Sequence, residues 1–181
     1  FLDLPKSIRC DKYSIGEYDS EIPSDLTAEQ ILIRSGNIGS VRIGQKIGSE
    51  KYKSFLEKIG VLSKIDFDIN EVAPQKDYNF GKCKLATASY GHGIATTILQ
   101  LAKGYAILSN GGYDIKPTLI FNGNDSNKGT RLLKSGVSDQ VVTALRKIVN
   151  TEDGTAKFAN VRNYEIGGKT GTADKVLNGI Y

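Results

Sequence analysis

The chain has 181 residues and 19.6 kDa, with 24 Lys+Arg against 20 Asp+Glu, a net charge of +4 and a pI near 8.9. So mild a basic balance, with no run of like charge, argues against a nucleic-acid partner, and 39% hydrophobic residues argue against whole-chain disorder. No apolar run reaches the roughly 18 residues of a membrane span, and one His with two Cys excludes a zinc finger or a His-rich metal site.

Residues 1 to 24 are polar and interrupted by Pro5, Gly16 and Pro23, which predicts loop with short extended pieces. A helix is predicted from about Leu26 to Arg34, because Thr27 with Gln30 makes a capping box ahead of Ile31-Leu32-Ile33. It stops at Ser35-Gly36-Asn37. A second helix follows from Ile38 to Ile47, ended by Gly48. A third has Ser49 as N-cap, with Tyr52, Phe55, Leu56 and Ile59 on one face and Gly60 as its stop. Residues 61 to 93 read as mostly irregular. After Gly91-His92-Gly93, the residues Ile98, Leu101, Ala102 and Tyr105 form one apolar helical face, ended by Asn110-Gly111-Gly112. Thr118 to Phe121 is a short β-prone run before a polar loop to Gly129. A last helix spans about Ser138 to Asn150, with Val141, Leu145 and Ile148 spaced i, i+4, i+7. Tyr164 and Ile166 flanking Glu165 then signal a strand that runs on through Lys169-Thr170-Gly171-Thr172-Ala173. Asn178-Gly179 is a hairpin signal.

Cys10 and Cys83 lie far apart in sequence and can pair only if the fold joins them, so the expectation is two separate, buried or unpaired thiols. Asn163 to Thr170 nearly spells a phosphate-binding loop, but its leading Gly is missing and the Lys falls on a predicted strand rather than at a helix start. Gly91-His92-Gly93 lacks the third glycine and the preceding strand of a dinucleotide fingerprint. His92 is a candidate general base, with loop packing the plainer reading.

Two other stretches carry chemistry. Alternation puts Lys169 and Gly171 on one face of a strand and Thr170 and Thr172 on the other. Such a strand offers a cation, hydroxyls and a backbone N–H to an anionic peptide-like substrate, and Gly171 lets a ligand approach closely. Ser35-Gly36-Asn37 puts a hydroxyl and an amide on a tight turn between helices, able to relay a proton and hold a substrate amide. A C-cap followed by an N-cap explains the same three residues without chemistry.

Taken together, these stretches resemble the penicillin-binding proteins and serine β-lactamases, whose signature includes a Ser-x-Asn turn and, much later, a Lys-Thr-Gly strand. The run from Tyr90-Gly91-His92-Gly93 through Thr97-Ile98-Leu99-Gln100-Leu101-Ala102 to Asn110-Gly111-Gly112 is similar to a stretch of the class B, monofunctional group, with Ile98 in place of its usual Pro. Asn rather than Asp at position 37 is more like the division-specific, septal type. The resemblance covers about residues 20 to 175. It implies an α+β fold in which this chain supplies a mostly helical lobe plus the Lys-Thr-Gly strand of an antiparallel sheet. The implied activity is a peptidoglycan D,D-transpeptidase: a serine attacks the penultimate D-Ala carbonyl of a stem peptide, D-Ala leaves, and the acyl group passes to a neighbouring stem. β-Lactams trap the same serine. By the same resemblance, Ser35 relays a proton to the leaving amine and Asn37 holds the substrate's amide side. Lys169 supplies positive potential to Ser35 and to the terminal carboxylate, Thr170 and Thr172 bind that carboxylate, and the Thr172 N–H is an oxyanion donor. No cofactor or metal is implied.

No serine in the chain has a lysine three positions on, so the nucleophilic Ser-x-x-Lys of the family is absent from these 181 residues. The chain also opens on Phe1 and contains no methionine. The expectation is therefore a partial transpeptidase domain over 1–181, inactive alone. Its parent would be membrane-anchored on the periplasmic side of a bacterial inner membrane, working in a division complex on peptidoglycan stem peptides. Exposed strand edges would favour self-association of the piece. The alternative is a non-catalytic relative that binds muropeptides or senses β-lactams.

Overall fold

The computed structural model describes residues 1–69, 78–120, 128–134 and 136–172. In chain order the elements are β1 (Ser7–Cys10), β2 (Tyr13–Gly16), α1 (Ala28–Arg34), α2 (Asn37–Ile47), α3 (Ser49–Lys58), α4 (Lys82–Ala88), α5 (Ile98–Ser109), β3 (Tyr113–Ile115), β4 (Lys128–Arg131), α6 (Val137–Asn150) and a 3₁₀ turn at Lys157–Ala159. They divide between two compact units. One holds Phe1–Ile47, Gly81–Ile94 and the chain from Ala144 onward; the other holds Gly48–Phe80 and Ala95–Thr143.

In the first unit the N-terminal stretch, expected as loop with short extended pieces, folds into an antiparallel hairpin. Ile8 faces Ile15 and Cys10 faces Tyr13, with Asp11 at positive φ in the turn. The hairpin lays Ile15 and Cys10 on a core shared with Ile31 of α1, Ile38 and Val41 of α2, and Ala86 of α4. Ile31, Ile38 and Val41 are at most 1% exposed, and full burial of such a side chain contributes about 1.5–3 kcal/mol. The Thr27–Gln30 capping box forms as its spacing predicts. Two glycines let α2 come close to its neighbours. A Cβ on Gly39 would stand 2.5 Å from Ile31, and one on Gly44 would overlap the Ser89 hydroxyl.

That packing corrects two expectations. Lys82–Ala88 is helical rather than irregular. It has no side-chain cap and only seven residues, so its stability comes from contact with α2 rather than from local sequence. And Cys10 and Cys83 are not separate thiols. The hairpin turns Cys10 inward towards α4, and the two form a disulfide with Cα atoms 5.5 Å apart.

In the second unit, Ile59, Ile107 and Leu133 form a small core. α3 is capped one residue earlier than expected, with Gly48 as N-cap and Ser49 already helical. The helix at Ile98–Ser109 exists, but its expected apolar face points outward: Ile98 is 89% exposed and Leu101 48%, while Gln100, Gly104 and Ile107 are buried. Gln100 fixes that rotation. Its Oε1 accepts from the Thr97 N–H at 2.8 Å and the Thr96 hydroxyl at 2.9 Å, and its Nε2 donates to the Ser63 carbonyl at 2.8 Å. The satisfied amide outweighs the apolar stripe because an unpaired amide inside a core is costly.

The β-prone run is not a strand over Thr118–Ile120, where Thr118 and Leu119 hydrogen-bond to Asp68 instead; Phe121 lies outside the described residues. The strands are β3 and β4, with Tyr113 opposite Arg131. The last helix runs from Val137, with Ala144, Ile148 and Val149 buried. No helix among the described residues is long and apolar enough to cross a membrane.

The expected strand over Tyr164–Thr172 is also not a strand; those residues have no regular secondary structure and pair with no strand among the described residues. A ladder needs a neighbouring strand, and none is described beside this segment. Its backbone groups bond to α6 instead: the Gly168 N–H donates to the Leu145 carbonyl at 3.1 Å, and the Ile166 carbonyl accepts from Arg146 at 2.9 Å. Ala173 and the Asn178-Gly179 hairpin signal lie outside the described residues.

Candidate active site

All the described parts of the site belong to the first unit. α1 closes on Ser35, which takes a left-handed conformation (φ 57°, ψ 39°) while the Gly36 N–H bonds back to the Ile31 carbonyl at 2.9 Å. A non-glycine residue there carries strain of about 1–3 kcal/mol, held by the packing around it. Asn37 is the first residue of α2. Ser35 is thus a helix C-terminus, as the plainer reading of the turn requires, and its hydroxyl remains available for chemistry.

The hydroxyl is engaged by a residue 134 positions away. Lys169 Nζ donates to Ser35 Oγ at 2.6 Å, and also to the Thr170 carbonyl at 3.1 Å. Burial pushes the Lys169 ammonium below its ordinary pKa of 10.5, since desolvation disfavours the charged form. The backbone that delivers Lys169 lies close against α6. A Cβ on Gly167 would stand 3.2 Å from the Arg146 nitrogen, so only glycine fits there without displacement.

The other expected residues sit as follows. The Thr170 hydroxyl is 2.8 Å from that of Thr155. Gly171 and Thr172 are exposed, and a Cβ on Gly171 would meet nothing within 4 Å among the described residues. His92 packs beside Tyr90, ring centroids 5.9 Å apart. The structure therefore brings Ser35, Asn37, Lys169 and Thr170 into one region, with Gly171 and Thr172 following on the same segment.

One contributor was not anticipated from sequence. The Glu17 carboxylate accepts from the Asn37 N–H at 2.6 Å and the Ile38 N–H at 2.9 Å, and the Gly16 carbonyl accepts from the Asn37 side-chain amide at 2.9 Å. The alternation of Ile8, Cys10, Tyr13 and Ile15 around Asp11-Lys12 could have revealed the hairpin that carries both. Nothing local to Glu17 marks its partners 20 residues on.

A Ser-x-Asn turn held against the lysine of a Lys-Thr-Gly segment defines a class, the penicillin-recognising serine acyl-transfer fold. The chain belongs to the penicillin binding protein transpeptidase domain family, whose profile matches residues 3–179. It is 29% identical to a peptidoglycan D,D-transpeptidase FtsI homolog of Mesostigma viride over 94% of this chain and 31% of that protein. It is 26% identical to a probable peptidoglycan D,D-transpeptidase PenA of Neisseria meningitidis over 99% of this chain and 32% of that one. The chain thus spans about a third of the length of these curated relatives. Among solved structures, it is similar to the apo transpeptidase domain of Burkholderia pseudomallei penicillin-binding protein 3. The TM-score is 0.88 at 25% identity, over 99% of this chain and 55% of that one. The α+β reading stands with these matches, as helices with small antiparallel sheets.

Proposed function

We propose that this chain is part of a peptidoglycan D,D-transpeptidase of the division type, which cross-links stem peptides through a serine acyl-enzyme and is acylated by β-lactams. The observation that supports the reading is the 2.6 Å contact from Lys169 Nζ to Ser35 Oγ. Because the ammonium donates to Oγ, the serine's own O–H is turned away from Lys169, available to the leaving nitrogen. When the nucleophilic serine of the whole protein attacks the penultimate D-Ala carbonyl, the C–N bond breaks and the amine must gain a proton. Ser35 gives that proton and is resupplied from Lys169, whose burial makes its ammonium a readier donor. Asn37 holds the peptide's amide. Thr170 and Thr172 take the terminal carboxylate, with Lys169 providing potential, and the Thr172 N–H serves the oxyanion.

The compartment in this reading is the periplasmic side of a bacterial inner membrane, with an anchor and division partners supplied by the whole protein. The Cys10–Cys83 disulfide favours an oxidising compartment of that kind.

The test is labelling with a fluorescent penicillin. The full-length protein takes the label, Lys169→Ala slows it at least ~10²-fold, on the scale of a lost electrostatic contact to the developing charge, and the 181-residue chain alone takes none. Label mapped by mass spectrometry to a serine within residues 1–181, or near-normal acylation of Lys169→Ala, overturns the assignment. A full-length protein that binds muropeptide yet never acylates would instead favour a sensing relative.

A further inference from the structure

We infer that Glu17 is a positioning residue of the transpeptidase site, setting the geometry of the Ser35-Gly36-Asn37 turn from below. The inference rests on the reading of Ser35 and Asn37 given above. Three observations converge on it. The carboxylate spans the first two N–H groups of α2, at 2.6 Å and 2.9 Å, one oxygen to each. Those donors have no partner inside the helix, and a negative charge at a helix N-terminus is favoured by its dipole. The carboxylate also reaches under the middle of the turn: a Cβ on Gly36 would stand 3.8 Å from Glu17 Oε1. And the residue before it, Gly16, accepts from Asn37 Nδ2 at 2.9 Å. That bond fixes the amide with Nδ2 towards Gly16 and Oδ1 away from it, so Oδ1 is free to act as the acceptor that a substrate N–H requires.

The support under Glu17 is rigid for reasons visible in the fold. β2 is paired with β1 and buries Ile15 in the core, and β1 is tied to α4 through Cys10–Cys83. Glu17 is therefore held by a hairpin that is fastened independently of the turn it supports. Ser35 sits in a strained left-handed conformation at φ 57°, and a turn of that kind keeps its shape only while its surroundings enforce it. Glu17 touches neither substrate nor the reacting atoms; it acts through Asn37 and the start of α2.

The experiment uses the full-length protein and the concentration dependence of acylation by a fluorescent penicillin, which separates the saturating rate from the half-saturating concentration. Glu17→Gln keeps the shape but offers Nε2, a donor, to one of the two N–H groups. The saturating rate should fall at least about tenfold, the scale of one lost charge-assisted hydrogen bond. Glu17→Asp, which keeps the charge, should recover part of the loss. On a Ser35→Ala background, Glu17→Gln should add no more than about a twofold further decrease, since its effect runs through the turn. Glu57→Gln, which breaks only the exposed pair with Lys53 on α3, serves as the control and should acylate at the wild-type rate. A Glu17→Gln protein that labels at the wild-type rate, or one whose only defect is a smaller labelled fraction with an unchanged rate, overturns the inference. A wild-type protein that takes no label overturns the transpeptidase reading itself and Glu17's role in it, an outcome distinct from a labelled wild type with an indifferent Glu17.

Discussion

Reducing the Cys10–Cys83 bond should cost this fold about as much as a large truncation in its core. The two cysteines are 73 positions apart, so the bond closes a long loop of the unfolded chain. The chain-entropy relation gives about 4.4 kcal/mol for a loop of that length, near the top of the range found for natural bridges. The native state has little to set against that gain, because both cysteines sit among the same core residues: Cys10 within the core and Cys83 packed on it. With a urea dependence of about 2 kcal/mol per molar, the unfolding midpoint should drop by about 2 M between oxidised and reduced wild-type protein. Comparing redox states of one sequence avoids the cavity and polarity changes of a cysteine substitution. Hydrogen exchange locates the effect: amides of β1, β2 and α4 should lose protection first on reduction. Midpoints that agree within about 0.3 M, or two freely alkylated thiols in protein isolated under oxidising conditions, would refute the reasoning.

Two further outcomes follow from single residues. Acylation should fall on the alkaline side as pH rises through the Lys169 pKa, and the fall should begin below lysine's ordinary 10.5 because burial lowers that pKa. The sign for stability is the reverse of the usual lysine case. The folded state releases this proton more readily than the unfolded state, so the cost of burying the charge is fully present below the folded pKa and is relieved as pH rises towards 10.5. Lys169→Met should therefore be at least as stable as wild type at neutral pH while acylating poorly; a clear loss of stability there would contradict the desolvation argument. In the second unit, Gln100→Leu removes the acceptor for Thr96 and Thr97 and the donor for the Ser63 carbonyl. It should cost about 2–4 kcal/mol by the penalty for buried unpaired groups, read as a lower thermal midpoint; a loss under about 1 kcal/mol would mean that the helix turns to bury Leu101 instead.

Local signals were legible where the structure they specify is local. The Thr27–Gln30 box sets α1, the glycines at 48 and 60 bracket α3, and the Ser-x-Asn and Lys-Thr-Gly stretches mark two segments that the structure brings together. What escaped depends on partners distant in sequence. α4 has no cap of its own and is helical because α2 offers it a surface through Gly44. The apolar stripe of α5 predicts the wrong face, because a buried glutamine with three polar partners decides the rotation, and those partners sit in segments no periodicity connects. The disulfide and Glu17 both depend on a hairpin whose Asp-Lys turn lacks the glycine signature that marks such turns in sequence.

The meeting of Ser35 and Lys169 has to be explained without a sheet. α1 ends on Ser35, and the segment that carries Lys169 is bonded to α6. The contact therefore depends on how α1 sits against the C-terminal part of α6 and the turn after it. Two ion pairs make that connection: Lys147 with Glu29 at 2.7 Å, from α6 to the first turn of α1, and Arg34 with Asp153, from the last turn of α1 to the loop beyond α6. Both are partly exposed, and pairs of that kind contribute about 0–1 kcal/mol each. Their importance lies in register. They grip α1 at its two ends, so a slide along α6 that would separate Ser35 from Lys169 breaks both at once. The core supplies the stability of the unit, while these charges, together with Glu17 on the other side of the turn, set where the serine hydroxyl points.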